Sequence, residues 1–394
     1  MKSIQFNKVD TYILIIVIFL LSLNLRPSVI ALGPLINEII TSTSINYAGF
    51  SLLTAIPTFS MGLLMLYSKD FLVHFKVKNL ILFSLVLIMI SNLARYFTAG
   101  ISNLILTSIV LGFSIAVLQI TIPLIIKSKF KSNISIMMGV YITGLMIGAA
   151  VSSGSVALIS NYLHNWKFAI SIWWIFTIPP LLLMPVFAKR IQEVVFAKSP
   201  LTNITINIRS CFLVVFFFLS SASYSCISTW LSPYYIELGK SNEDSGIILS
   251  NFIFFQIIAG FLFPYLSRKN EDRRLILITL IILTVIGFIG LISSPLQITM
   301  LWSSLLGLGV GGLFPLSLIL TLDHYKDPIK STKLISFVQG TGYILASFTP
   351  FIAGILKDYT GDFLISWTIL IFMTLLMLPL ALIFNPKEYE QIMR

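Results

Sequence analysis

Apolar runs of about twenty residues, each closed by a short polar or basic stretch, repeat along the whole 394-residue chain. A helix needs about 20 mainly apolar residues to cross the hydrocarbon core of a bilayer. The pattern therefore predicts twelve spanning helices, near 11–32, 46–68, 79–98, 101–126, 134–160, 167–188, 209–231, 244–267, 275–293, 297–322, 332–356 and 364–384. The first run is longer than the core of a signal peptide and lacks a clear small-residue cleavage site, so it reads as a retained span. The runs are continuous and not alternating, which argues against a membrane barrel.

Composition narrows the class further. Apolar residues make up 57% of the chain and charged residues 10%, against about 45–50% and 25% in a soluble domain. A soluble globular protein, a disordered chain and a disulfide scaffold are all excluded. Cys211 and Cys226 lie fifteen residues apart in one apolar run, a helical rise of about 22 Å that no disulfide bridges.

A formal charge of +11 would point to nucleic acid in a soluble protein, but here the basic residues punctuate the apolar runs. Placing both termini in the cytoplasm puts 21 of the 26 basic residues in cytoplasmic segments, as positive-inside topology requires. Only Lys167, Lys240 and Lys357 fall outside, and Arg26 and Arg95 fall within spans. The expectation is a multi-pass protein of a bacterial inner membrane, with lipid as its surroundings and no nucleic-acid partner.

The longest polar connection lies mid-chain and divides the spans six and six. Pro34 and Pro233, Gly62 and Gly260, Gly112 and Gly307, and Gly144 and Gly340 are offset by 195–199 positions. The expected organisation is an N-terminal six-helix half at 1–188, a cytoplasmic linker at 189–208 and a C-terminal half at 209–394. The fold class is all-α integral membrane, with two pseudo-symmetric halves and a site between them.

Candidate chemistry is sparse. No phosphate-binding loop occurs, the three histidines lie in separate loops without paired cysteines, and no acid sits centrally in a span. No cofactor, metal site or enzymatic centre is expected. Arg26, in Asn24-Leu25-Arg26-Pro27, stands out, because an intramembrane cation costs at least about 2.5–3.5 kcal/mol on insertion scales and marks function by default. A cavity whose only fixed charge is positive attracts an anion, which a guanidinium binds with paired donors; the alternative is a brace on helix-end carbonyls. Arg95, at a span end beside Tyr96, is read as snorkelling to the interface, with anion access or gating as its other role.

Further candidates for substrate contact are Asn24, Gln119, Tyr224, Trp230, Gln339 and Tyr343. Ser336, Gln339, Tyr343 and Ser347 share one helical face, which serves a polar substrate or interhelical bonding equally well. Trp230 fits the cavity or an interfacial belt. Gly309 and Pro315 make the tenth span thin and bendable, a gate or a close-packed seam. Asp272, Arg273 and Arg274 in one loop, and Asp323-His324 at a span end, could form a gate latch or a solvated loop.

Several segments resemble a known group. Leu23-Asn24-Leu25-Arg26-Pro27 with Gly33-Pro34, Leu53-Thr54-Ala55-Ile56-Pro57 with Met61-Gly62, and Trp230-Leu231-Ser232-Pro233 are the first of these. Glu271-Asp272-Arg273-Arg274, the Gly307–Leu316 run, Leu322-Asp323-His324 and Phe337-Val338-Gln339-Gly340 follow in order. Together they resemble the cyanate transporter family of the major facilitator superfamily, which includes a 2-nitroimidazole transporter. The resemblance implies a transporter of small anionic or polar solutes; alternating access with Arg26 holding the solute between the halves, by a chain expected to act as a monomer, is the reading the residues support. The general motif between spans two and three is eroded over Gly62–Lys78, and span five lacks the Gly-Pro pairing of drug antiporters. Efflux of a neutral drug-like compound and a non-transporting receptor are the alternatives.

Overall fold

In the computed structural model the described residues are 8–72, 74–130, 134–191, 194, 207–267, 272–325 and 328–389. Helices account for nearly all of them. With no water in the bilayer core, each segment has to satisfy its backbone internally, which a helix does. Twelve spans follow in chain order. Three of them, α1, α6 and α12, are interrupted. The α1 span runs Lys8–Leu23 and continues through Pro27–Ile30 and Gly33–Leu35 to Ile36–Thr43. After it come α2 Tyr47–Leu72, α3 Val77–Tyr96, α4 Ile101–Lys129 and α5 Ile134–Leu163. The α6 span joins Trp166–Ser171, Ile172–Thr177 and Ile178–Arg190. In the second half α7 is Ile208–Glu237, α8 Asn242–Ser267, α9 Arg274–Ser293, α10 Thr299–Asp323 and α11 Pro328–Thr360. The α12 span joins Leu364–Leu375 and Met377–Ile383.

Eleven of these are long and apolar enough to cross a membrane; α11, with its polar stripe, falls outside that criterion. The expected boundaries stand within about four residues except at α7, which ends six residues past Leu231, and at α1, which extends eleven residues past Leu32. Asn37 and Glu38 read as loop in the sequence, but the extension is held by packing against α7 and α8. The expected linker at 189–208 lies for the greater part outside the described residues. So do the basic residues Lys2, Lys131, Lys198, Arg268, Lys269, Lys326 and Arg394.

Two antiparallel helix pairs join the halves, α2 with α11 and α5 with α8. A Cβ on Gly62 would come within 2.7 Å of the Gly340 carbonyl, so only glycine lets α2 and α11 approach this closely. On the other seam the Ser153 and Ser250 hydroxyls bond at 2.8 Å. One end of the bundle is sealed around Trp230, whose ring packs on Tyr47, Phe50 and Phe363. There the Asp358 carboxylate accepts from the Tyr47 and Ala48 N–H groups at 3.0 and 2.9 Å, so α11 caps the first turn of α2. Asn242 donates to Glu38 at 2.7 Å, Asn161 donates to Glu243, and Lys357 pairs with Glu237 at 2.6 Å. The opposite end carries His324.

Candidate functional site

The site begins with a break in α1. Pro27 has no N–H, so the Leu23 carbonyl loses its helical donor, and the chain turns at Asn24–Arg26. Three contacts hold this break in place. Asn24 Nδ2 donates to the carbonyls of Leu20 and, across to α6, Phe176 at 2.8 and 2.9 Å. Arg95 donates to the Ser28 carbonyl at 2.5 Å and to Ser108 Oγ at 3.0 Å. On the third side, a Cβ on Gly148 would fall 2.4 Å from the Leu23 carbonyl, so α5 lies directly on the break.

The expectation that Arg95 snorkels is overturned. Its side chain is 0% exposed, and it points into the bundle because the broken helix offers it a bare carbonyl. It braces the turn that presents Arg26.

The Arg26 guanidinium lies over the Tyr224 ring, its carbon 5.1 Å from the centroid. Arg26 Nε is buried and has no hydrogen-bond partner. Among the described residues no carboxylate pairs with it, and none of the buried polar groups is Asp or Glu. Tyr141 of α5 and Tyr343 of α11 stand within electrostatic range of the guanidinium and of each other. One cation therefore lies over Tyr224 of α7, with Tyr141 of α5 and Tyr343 of α11 in its electrostatic range; the three come from both halves of the chain.

Tyr141 escaped the sequence reading, since a tyrosine in an apolar span carries no signal alone. Its position does: it stands one turn before Gly144, on the face through which Gly144 and Gly148 meet α1. Tyr343 is held by edge-on contact with Phe217 at 5.1 Å.

The other candidates fall elsewhere. Trp230 is 0% exposed and donates to the Pro350 carbonyl at 2.9 Å; it belongs to the sealed end and does not line the Arg26 site. Asn24 spends both amide protons on backbone, although its Oδ1 is buried without a partner. Gln119 is buried on α4 and Gln339 half-buried on α11. Gly309 lies where a Cβ would meet Thr284 Oγ1 at 2.1 Å, and Gly307 where one would meet the Phe252 carbonyl at 2.4 Å. Those glycines seat α10 between α8 and α9, and Pro315 follows them on α10. At the His324 end, Arg273 bonds Asp323 at 2.9 Å, tying α9 to α10 within one half. Arg274 bonds Asp272 at 2.5 Å and holds that carboxyl below its usual range. Residues 268–271 of the charged loop lie outside the described residues.

Comparison with known proteins agrees with this architecture. Residues 213–392 match the model of the Major Facilitator Superfamily. The cyanate transport protein CynX of Escherichia coli K12 is 28% identical over 383 residues, covering 96% of this chain and 99% of that one. A solved D-xylose–proton symporter superposes with a TM-score of 0.74 over 95% of this chain and 97% of its own, at 13% identity. The second half of the chain thus matches this superfamily, and the fold is the one its solved transporters share. The matched family and relatives are multi-pass membrane transporters, not enzymes. The 2-nitroimidazole transporter of the same bacterium is 24% identical, covering 89% of each chain. A bacterial Spinster homologue solved facing inward aligns with a TM-score of 0.73, at 13% identity and 98% coverage of both chains.

Proposed function

We propose that this transporter carries a small univalent anion between its two halves by alternating access, with Arg26 as the group that holds it. The observation that carries the reading is the Arg26 guanidinium itself: it is buried at Nε, stacked on Tyr224 and free of any protein acceptor among the described residues. A guanidinium presents a fork of donors that matches a planar or linear anion, and Tyr141 and Tyr343 stand within its electrostatic range. Its similarity to a cyanate transport protein favours cyanate and anions of like size. The halves are those expected at 1–188 and 209–394. The His324 end, where the basic residues gather, is placed in the cytoplasm together with both termini.

The test is binding to purified protein of cyanate, nitrate, thiocyanate and formate in turn. Arg26→Gln is expected to lose binding by about 10- to 100-fold, as for a charge-assisted hydrogen bond of about 1.5–3 kcal/mol, and Arg26→Lys to retain part of it. Unchanged affinity in Arg26→Gln overturns the proposal. The second reading, a neutral nitroimidazole-like compound stacked among the three tyrosines, is favoured by the aromatic walls and by the other relative. It requires affinity that survives Arg26→Gln and falls in Tyr224→Ala.

A further inference from the structure

Arg26 cannot leave the site when it is empty. The turn that carries it is bonded on one side to the fully buried Arg95, through the Ser28 carbonyl, and on another to Phe176, through Asn24. Gly148 packs against the third side. A free helix-end arginine could swing to the interface, but one at a braced mid-span break stays where it is.

Nor can a neighbour neutralise it. Among the described residues no Asp or Glu is buried. Glu38 is the half-buried acid on the same span, but it lies twelve residues on, about 18 Å of helical rise, and its carboxylate is engaged by Asn242 at the sealed end. The group that does lie over Arg26 is the Tyr224 ring, which offers a π face and no counter-charge. Reorientation requires the halves to close over the site along α2–α11 and α5–α8, excluding water. With an anion bound, the occluded pair is neutral overall. Without one, a lone cation is occluded, and the Tyr224 face offsets only part of that cost.

We infer that this protein is an obligate exchanger: it crosses between its two orientations only when an anion fills the Arg26 site, so it swaps one anion for another and catalyses little net flow. The inference rests on the anion reading above. The lone-cation penalty on insertion scales corresponds to a return step of the empty carrier slowed by about 100-fold. Among the described residues no Asp or Glu is buried there and His324 lies at the other end, so no carboxylate or imidazole at the site couples a pH gradient to the crossing.

The test uses wild-type protein in vesicles loaded with each of the four anions in turn, in labelled form, with protein-free vesicles as background. Efflux into buffer holding the same unlabelled anion is expected to exceed efflux into anion-free impermeant buffer by about 100-fold. A potassium diffusion potential should leave the exchange rate unchanged, since one univalent charge crosses each way. Equal efflux with and without external anion overturns the inference, as does accumulation driven by a pH gradient. In either of those cases Arg26-dependent binding, measured on the same preparation, leaves the anion reading standing. If none of the four anions binds through Arg26, that reading and the exchanger fall together.

Discussion

Arg95 exchanges water for neutral oxygens alone. Its guanidinium meets the Ser28 carbonyl, Ser108 Oγ and, at 3.4 Å, Thr107 Oγ1, and nothing acidic. Removing it leaves the Ser28 carbonyl unsatisfied in the bundle, a loss of about 1–3 kcal/mol. Arg95→Leu is expected to lower the thermal midpoint of the purified protein and to weaken anion binding, since the Arg26 turn loses its brace. Arg95→Lys, with one donor head in place of a fork, should recover part of both. A variant as stable as wild type would remove Arg95 from the brace. His324 is the second residue whose environment makes a measurable claim. Its ring stacks on Tyr389 with centroids 3.9 Å apart and bonds the Leu320 carbonyl at 2.7 Å. The other ring nitrogen faces Arg209 Nε at 3.3 Å. Burial, aided by the positive Arg209, pushes its pKa from 6.5 down to about 4. Above pH 6.5 the ring is neutral both folded and unfolded, and its contribution is constant. As pH falls from 6.5 towards 4, the unfolded chain takes up a proton that the native site refuses, so stability is lost through that window. Thermal unfolding followed against pH should show that loss in wild type and a flatter profile in His324→Gln. Arg26 was legible in the sequence because a charge in an apolar run is costly wherever the chain folds. Tyr141 and the burial of Arg95 were not, because both depend on which helix lies across the break in α1.

The number of helices and their rough positions were readable from hydropathy, since membrane thickness sets their length and polar stretches mark their ends. What hydropathy does not report is a helix end stabilised by another element. The start of α2 is such an end: the first-turn N–H groups of Tyr47 and Ala48 are capped by Asp358, more than three hundred positions away on α11. Lys357 beside it pairs with Glu237 and lies over the rings of Tyr47 and Phe363. A cap of this kind is worth about 1 kcal/mol, with up to about 2 in favourable cases. Because it spans the two halves, it counts only in the state closed at the Trp230 end. Asp358→Ala is therefore expected to shift the population towards opening at that end by about 5- to 30-fold. Labelling of a cysteine introduced by Ser232→Cys with a bulky impermeant maleimide reads the shift, in a background lacking Cys211 and Cys226. Labelling no faster than in the parent would show that the cap does not hold the closed state.

The two seams between the halves are exchanged by the internal repeat. Moving six spans along the chain carries α2 onto α8, and moving six back carries α11 onto α5, so the α2–α11 pair maps onto α8–α5. The glycine and proline offsets of 195–199 hinted at this in the sequence, but which helices of one half meet the other is a tertiary fact. An assembly with two equivalent seams can open at either end by rocking about the site between them. In the present structure the Trp230 end is shut by contacts that cross both seams, Asp358 to α2 on one and Asn161 to Glu243 on the other. If transport needs that end to open, joining its two sides covalently has to stop it. The Asn161 and Glu243 side chains touch, so the pair Asn161→Cys and Glu243→Cys, made without the native cysteines, should be bridged by a short bis-methanethiosulfonate that spans the gap left by the two shortened side chains. Anion exchange in vesicles is expected to fall to background on cross-linking and to return on reduction, with each single variant unaffected. Exchange that continues with the cross-link complete, as judged by loss of free thiol, would mean that the solute does not pass through the Trp230 end.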